Sequence, residues 1–181
     1  MIQPEESLLL VIDVQGRLAA SVAGSDSLIA ALSRMVRGCA ALDVPVMVTE
    51  QYPKGLGRTV EPVMELLPGS VLLEKLSFSC CGNDDFMARL RSYGRNEILI
   101  AGMETHVCVY QTATELLDFG YNVHILTDAV SSRTEANKLL GIGCMERSGA
   151  LLTSTEMALF ELLREAGSDR FKAVSAILKE Q

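Results

Sequence analysis

The sequence predicts a three-layer α/β/α domain built on a mainly parallel sheet of about six strands. Short apolar runs alternate along the chain with segments that repeat apolar residues at helical spacing. The central runs, Ser7–Val14 and Ile98–Ala101, are apolar on both faces, which only a sheet covered by helices on both sides requires. The 181 residues contain no internal repeat, low-complexity tract or linker, so we expect one domain over residues 1–181.

The predicted strands follow from the apolar runs and from the residues that bound them. The first run ends at Asp13, and the fourth ends at Gly102. The six predicted strands, in chain order, are Ser7–Val14, Val44–Val48, Val71–Leu73, Ile98–Ala101, Asn122–Leu126 and Ala150–Thr153. The segment that follows the second strand, Thr49–Arg58, is predicted to be a loop.

The predicted helices lie between and after these strands. Proline and glycine interrupt helical hydrogen bonding, so Pro68–Gly69 and Gly120 mark the ends of two helices. The predicted helices are Ser27–Leu42, Glu61–Leu67, Asp84–Ser92, Val107–Phe119, Glu135–Arg147, Ser154–Glu165 and Asp169–Lys179.

Composition narrows the function classes. The net charge is −7 and no Lys/Arg cluster stands out, so neither nucleic acid nor a membrane is an expected partner. The first residues lack the basic segment of a secretory signal, and Ser7–Val14 is too short to span a bilayer, so we expect a cytoplasmic protein. Five cysteines without C-x-x-C spacing argue against a disulfide framework and against a zinc cluster.

Three reactive side chains are predicted to meet at the edge of the sheet where the parallel strands end. Asp13 closes the first strand, Lys75 stands just past the third, and Cys108 follows the fourth. Ligands of open parallel sheets bind at this edge. A carboxylate can take the proton of a thiol, and a neighbouring lysine keeps that carboxylate ionised. Each residue alone has a structural alternative: a turn cap, a solvated lysine and a small buried hydrophobe.

The surroundings of Cys108 favour a nucleophile. It lies in Glu97–Tyr110, EILIAGMETHVCVY, close to the start of the predicted helix at Val107. Thr105 is a candidate N-cap, because its hydroxyl can accept a hydrogen bond from a first-turn N–H. The positive end of a helix dipole favours the thiolate, which is the nucleophilic form of cysteine.

Five sequence blocks stand in order along essentially the whole chain. They are TEQYPKGLG at Thr49–Gly57, EKLSFS at Glu74–Ser79, G-x-x-T-x-x-C at Gly102–Cys108, TDAVSSR at Thr127–Arg133 and LTSTEMALFEL at Leu152–Leu162. Together with Asp13, Lys75 and Cys108 they resemble the isochorismatase-like cysteine hydrolases, which include nicotinamidases and N-carbamoylsarcosine amidase. The block TEQYPKGLG most resembles the isochorismatase-domain-containing branch of that superfamily.

The resemblance implies an isochorismatase-like, Rossmann-like fold and a hydrolase without a cofactor that cleaves a small amide or related carbonyl compound. Cys108 would attack the carbonyl carbon and form a thioester, Asp13 would take the thiol proton, and Lys75 would hold both groups. Backbone N–H groups of Glu104 and Cys108 would form the oxyanion hole, next to a cis peptide bond between Met103 and Glu104. Family members usually assemble, so a homo-oligomer is expected.

The same resemblance argues against a metal site. Nicotinamidases hold a metal with an Asp-x-His pair and a later His after the second strand. The corresponding stretch, Thr49–Gly57, contains neither residue type. The chain has two histidines, His106 and His124, and both are expected to be structural.

Five further residues are predicted to contact the substrate because of their places at strand ends. Each has a structural alternative, such as a turn or core packing. The five are Gln15, Gln51, Tyr52, Phe78 and Thr105.

Other functions stay open at this point. Isochorismatases cleave a vinyl ether, and Asp13 could serve as general acid for that reaction. A non-catalytic scaffold that binds partners is a second alternative. A peroxide-sensing thiol protein is a third, although no resolving cysteine is clearly placed.

Overall fold

The computed structural model describes residues 1–180 and contains one six-stranded sheet in which every neighbouring pair is parallel. Its spatial order is β3-β2-β1-β4-β5-β6. The first three strands are β1 (Ser7–Ile12), β2 (Val46–Gln51) and β3 (Val71–Lys75), and the last three are β4 (Glu97–Met103), β5 (Asn122–Ser131) and β6 (Leu151–Thr153). The predicted three-layer α/β/α class is confirmed, with helices on both faces of the sheet.

The helices include both long covering helices and short turns near the strand ends. They are α1 (Gly16–Ala19), α2 (Ser25–Ala41), α3 (Pro53–Leu56), α4 (Glu61–Met64), α5 (Asp84–Ser92), α6 (Tyr110–Asp118), α7 (Glu135–Arg147), α8 (Thr155–Leu163) and α9 (Asp169–Lys179). Two 3₁₀ turns, Pro4–Glu6 and Cys80–Gly82, and one π-helical turn, Thr105–Val109, complete the elements. Each helix of residues 1–180 is too short or too polar to cross a membrane.

Strand β1 shows why helices must cover both faces. All six of its residues are buried. Leu9 and Val11 pack into the apolar cluster that includes α2, α8 and α9, whereas Leu8, Leu10 and Ile12 pack into the cluster that includes α5, α6 and α7. Successive strand residues point to opposite faces, so a strand without a polar face has to lie between two helical layers.

Several boundaries differ from the prediction at the edge that carries the polar residues. Strand β2 continues to Gln51 because its polar end pairs with β3, with Glu50 opposite Glu74 and Gln51 opposite Lys75. The predicted loop after β2 also contains α3, which begins at Pro53, a residue suited to the first helical position. Ladder pairing and tertiary packing therefore override the polar composition of this stretch.

Other boundaries differ after β4. Strand β5 extends past Leu126 to Ser131, with a register shift opposite Ile100 and Gly102. The predicted helix over Val107–Phe119 is replaced by the π-helical turn followed by α6. Such single π-helical turns are often found at functional sites.

Gly102 allows β4 to approach β1 directly before the polar edge. Its φ is 144°, and an added Cβ would lie 2.1 Å from the carbonyl oxygen of Ile12. Any side chain would overlap the neighbouring backbone, so only glycine fits here.

Candidate active site

Asp13 and Lys75 form a buried ion pair at the carboxyl edge of the sheet. Asp13 directly follows β1 and adopts a left-handed backbone conformation with φ 54°. Lys75 is the last residue of β3, two strands away. Its Nζ lies 2.6 Å from Asp13 Oδ2, and both side chains are at least 99% buried. A non-glycine residue at positive φ is uncommon and often marks a functional position.

The Lys75 ammonium is surrounded by acceptors. Besides Asp13, it donates to Gln51 Oε1 at 2.8 Å and to the backbone carbonyls of Phe78 at 3.0 Å and Ser77 at 3.3 Å. Burial lowers the pKa of Lys75, but the charge of Asp13 and the neighbouring cysteines Cys80 and Cys108 outweigh burial and raise that pKa overall. Lys75 is therefore a fixed cation beside the thiol.

Cys108 occupies the fourth position of the π-helical turn and is 6% exposed. Burial, followed by the negative charge of Asp13, raises the pKa of its thiol to about 12, and Lys75 only partly counters this. Desolvation and the adjacent carboxylate oppose the effect that the sequence predicts for the helix N-terminus, so a base beside the thiol would help it to react.

A cavity of about 260 Å³ opens on Cys108. At roughly 30 Å³ per water molecule, this space corresponds to about nine waters and suits a small molecule. Its walls are mainly apolar, with one acidic and one basic residue. The lining residues are Leu18, Gln51, Leu56, Phe78, Glu104, Val107, Cys108 and Arg133.

Two of the predicted substrate contacts, Gln51 and Phe78, line this cavity. Gln51 is also fixed structurally, because its side-chain amide accepts from Lys75 and donates to the carbonyl of Leu76 at 2.8 Å. Phe78 is 56% exposed, so it forms a wall rather than core packing. The alternative of an ordinary surface turn for Gln51 does not fit these contacts.

The other three predicted contacts do not reach the cavity. Gln15 is fully buried and bonded through its amide to the backbone of Gln51 and Gly57. Tyr52 lines a neighbouring groove of about 580 Å³ and covers Gly55 instead. Tyr52 points into that groove because the loop after β2 turns at this residue, which has φ 38°.

Thr105 does not line the cavity either. Its side chain is fully buried, its hydroxyl lacks a partner within residues 1–180, and it forms no capping hydrogen bond. The turn that begins at Thr105 is π-helical, and its first backbone groups are arranged differently from those of an α-helix.

Glu104 and Arg133 form an ion pair in the cavity wall that sequence reasoning missed. Glu104 Oε1 lies 2.7 Å from Arg133 Nε, and Glu104 Oε2 lies 3.4 Å from His106 Nδ1. The available signal was the position of Arg133 at the end of the block TDAVSSR. His106 also contacts Ser132 Oγ at 3.0 Å, which agrees with a structural role for this histidine.

Two further observations bear on the predicted oxyanion hole and on metals. The Met103–Glu104 peptide bond is cis, and Glu104 lies in the cavity wall. Within residues 1–180, no group of three or more His, Cys, Asp or Glu side chains is arranged to hold a metal ion.

Similar proteins agree with this architecture. The family model "Isochorismatase domain" matches residues 7–157. "Isochorismatase family protein 1B" of Dictyostelium discoideum is 38% identical over 185 residues, covering 99% of this chain and 89% of that protein. Both matches span nearly all of the sheet and the polar edge.

Solved structures share the same fold. The structure of MAR1 ribonuclease from Caenorhabditis elegans has a TM-score of 0.94 and 34% identity, covering 99% of this chain and 93% of that one. The YcaC gene product of Escherichia coli, described as an octameric hydrolase of unknown specificity, has a TM-score of 0.93 and 21% identity, covering 98% and 88%. At 21% identity, the similarity to the Escherichia coli protein shows only that the two chains share a fold. From the domain match and the relative at 38% identity, the chain belongs to the isochorismatase family.

Proposed function

We propose that this isochorismatase-family hydrolase cleaves a small amide or related carbonyl compound with Cys108 as nucleophile, Asp13 as general base and Lys75 as the cation that positions both. The observation that carries the proposal is the buried Asp13–Lys75 ion pair beside a thiol that faces a small cavity. A nucleophile, a base and a group that orients the base are the parts that covalent catalysis requires.

In the first step, the proton of the Cys108 thiol moves to Asp13 as the sulfur bonds to the substrate carbonyl carbon. The carbonyl electron pair moves onto oxygen, and backbone N–H groups of Glu104 and Cys108 donate hydrogen bonds to that oxygen as an oxyanion hole. A single donor of this kind commonly contributes about 3 kcal/mol to barrier reduction. Lys75 keeps a positive charge near the developing negative charges.

In the second step, the carbonyl re-forms, the C–N bond breaks, and the proton on Asp13 passes to the leaving nitrogen. The product is a thioester on Cys108 and a free amine or ammonia. A water then gives a proton to Asp13 and adds to the thioester carbon. The C–S bond breaks, the acid is released, and the proton returns to the thiol.

The cavity supports a small substrate with an apolar middle. Its walls include Leu18, Leu56 and Val107, and its volume is about 260 Å³. Small, mainly apolar clefts with a few polar groups are typical of metabolite sites. We therefore propose amide-like over vinyl-ether hydrolysis, because a positioned thiol has no role in simple protonation of an enol ether by Asp13.

The ribonuclease name of the Caenorhabditis elegans protein suggests RNA as a second substrate to test. Two observations argue against it for this chain. The net charge is −7, and the single arginine of the cavity wall, Arg133, is paired with Glu104. RNA-binding sites present unpaired cations to phosphates, so we propose that nucleic acid is not the substrate.

Exposed apolar side chains support assembly into a homo-oligomer. Leu139 and Leu140 on α7 are 59% and 61% exposed, and Met157 on α8 is 61% exposed. We propose these side chains as candidate contacts between subunits. Light scattering on the purified protein measures the size of the assembly.

The experiment compares the chain with its Cys108→Ala variant on a panel of small amides, imides and ureides, with ammonia release as readout. Isochorismate with pyruvate release, and a single-stranded RNA with fragment length as readout, complete the panel. We expect ammonia release from at least one amide and a loss of at least about a thousandfold in Cys108→Ala. Acid-quenched mass spectrometry should find the acyl group on the Cys108 peptide.

Cys144→Ala is the matched control, because this partly exposed thiol lies on α7 outside the cavity wall. It should keep full turnover, and circular dichroism should show both variants folded. Undiminished turnover by Cys108→Ala contradicts the nucleophile. Pyruvate release without ammonia release supports the vinyl-ether alternative, and no turnover on any compound supports a binding scaffold.

A further inference from the structure

Behind the Asp13–Lys75 pair, a line of buried side chains leads away from the cavity. Thr49, on β2, donates through its hydroxyl to Asp13 Oδ1 at 2.8 Å. Cys80, in the 3₁₀ turn after β3, lies with its sulfur 3.8 Å from the same hydroxyl oxygen. Thr49 is 1% exposed and Cys80 is fully buried, so neither belongs to the cavity surface.

The proton count fixes the direction of these hydrogen bonds. A threonine hydroxyl has one hydrogen and two lone pairs. Because Thr49 gives its hydrogen to the carboxylate, it can only accept from Cys80, so the Cys80 thiol must be the donor. The sequence Cys80 S–H to Thr49 O–H to Asp13 is therefore a directed chain that ends on the proposed base. A chain of this kind strengthens its last hydrogen bond.

A second set of contacts connects Cys80 to the nucleophile. The backbone N–H of Cys80 donates to Thr112 Oγ1 at 3.0 Å, and that hydroxyl donates to the carbonyl of Cys108 at 2.7 Å. The 3₁₀ turn thus holds both the hydroxyl that contacts the base and the helical turn that carries the thiol.

We propose that Thr49 is a positioning residue that holds the Asp13 carboxylate in the orientation that receives the Cys108 proton. The inference rests on the proposed function, because it assigns Thr49 a role through Asp13. Lys75 engages Oδ2 and Thr49 engages Oδ1, so the carboxylate is fixed at both oxygens.

Several charged and titratable groups face Asp13 and Cys108. Lys75 comes from β3 and Cys80 from the 3₁₀ turn, and Glu104 with its partner Arg133 lines the cavity wall. Thr49 itself is uncharged. Its removal therefore changes one hydrogen bond and leaves the charges of the site in place.

The test measures kcat and KM of the purified variants on the best amide of the panel at neutral pH, with ammonia release as readout. Thr49→Val keeps the shape of the side chain and removes the hydroxyl. We expect its kcat to fall by about tenfold with KM unchanged, because Asp13 is then held at one oxygen only and is less well oriented to receive the thiol proton. Thr49→Ser keeps the hydroxyl and should restore the wild-type kcat.

Thr155→Val is the matched control. Thr155 is 2% exposed, and its hydroxyl has no hydrogen-bond partner within residues 1–180, so this variant loses a buried hydroxyl without losing a contact. Its kcat and KM should equal those of the wild type. If Thr49→Val does not fold, Thr49→Ala provides the same comparison.

Asp13→Asn separates failure of this inference from failure of the proposed function. If Asp13→Asn keeps the wild-type kcat, Asp13 is not the base, and the proposed function fails. If Asp13→Asn loses kcat while Thr49→Val keeps the wild-type kcat, only the role of Thr49 is overturned. An equal loss of kcat in Thr49→Val and Thr49→Ser also overturns it, because the hydroxyl would then be irrelevant.

Discussion

Two buried carboxylates lie near each other at the polar edge of the sheet, and they are held in different ways. Asp13 follows β1 and Glu50 lies on the neighbouring strand β2, and neither is exposed. Glu50 accepts from the N–H of Thr59 at 2.7 Å, from its hydroxyl at 2.9 Å and from Arg58 at 2.7 Å. All its donors come from one loop, eight or nine residues further along the chain.

The donors of Asp13 come from distant parts of the chain instead. Thr49 and Lys75 are 36 and 62 residues away, and the Cys108 thiol approaches from the π-helical turn after β4. The Glu50 contacts fix a loop, whereas the Asp13 contacts bring together a cation and a thiol next to a cavity. The difference suggests that a buried carboxylate with a proton donor beside it serves chemistry, while one saturated by local donors serves structure.

The largest expected effect is on turnover, where variants of Asp13 and Glu50 should differ. Asp13→Asn should reduce turnover of the best amide by about a hundredfold to ten thousandfold, because an amide cannot act as general base. Glu50→Gln should stay within a fewfold of the wild type, since it can still accept from Thr59. Steady-state kinetics on purified variants measures both.

Urea unfolding of the same two variants provides the control for that prediction. Glu50→Gln should lose stability, because Arg58 loses its charged partner, yet remain folded at 25 °C. A large loss of turnover in folded Glu50→Gln, equal to that of Asp13→Asn, would remove the distinction between the two carboxylates.

The next largest effect concerns the cations that pair with the two carboxylates. Lys75→Met leaves Asp13 buried without its ion-pair partner and should lower the free energy of unfolding by about 3–5 kcal/mol. Arg58→Met should cost less, because the Arg58 side chain is 66% exposed and its pairs with Glu50 and Glu74 are screened by solvent. Urea denaturation at pH 7 measures both losses.

The pH dependence of the Lys75 contribution follows from its raised pKa. The stabilisation is fully present below the pKa of an unfolded-state lysine, about 10.4. It is lost as the pH rises through the higher value of the folded state. The difference between wild type and Lys75→Met should therefore shrink in strongly alkaline solution. Equal losses for Lys75→Met and Arg58→Met at pH 7 would contradict the assignment of Lys75 to a buried pair.

The sequence predicts most of the fold and the central residues of the site. Strands that are apolar on both faces predict a parallel sheet covered by helices on both sides. Because parallel strands end at the same edge, Asp13, Lys75 and Cys108 are then expected at one edge of the sheet. Both predictions follow from the pattern of apolar and polar residues along the chain. Gly102 marks the end of an apolar run in the sequence, but its close approach to Ile12 is visible only in the structure.

The remaining features depend on backbone direction and on burial. Tyr52 lies next to Gln51, but its left-handed conformation turns it into the neighbouring groove. The pKa of Cys108 depends on how deeply the π-helical turn is buried and on the distance between Asp13 and the thiol. The spacing of residues in the sequence predicts neither quantity. Arg133 reaches the cavity because β5 continues further than its apolar part, to Ser131.

The smallest expected effect concerns the alkaline stability of the two carboxylate variants. The pKa of the Cys108 thiol is about 12 in the folded protein, against about 9.0 without the protein environment. A folded-state pKa above the unfolded one means that the thiol contributes stability below pH 9. That contribution falls between pH 9 and 12, by at most about 1.4 kcal/mol per pH unit for one proton.

Asp13 is one cause of the raised pKa of Cys108, and Glu50 is not among its causes. In Asp13→Asn the folded-state pKa of the thiol should therefore fall, and the decline of stability should end at a lower pH than in the wild type. In Glu50→Gln, stability should decline over the same pH range as in the wild type. Each variant combined with Cys108→Ala gives the contribution of this thiol by difference, with urea unfolding measured from pH 8 to 11. An unchanged window in Asp13→Asn would mean that burial alone sets the thiol pKa, and the two carboxylates would then be electrostatically equivalent toward Cys108.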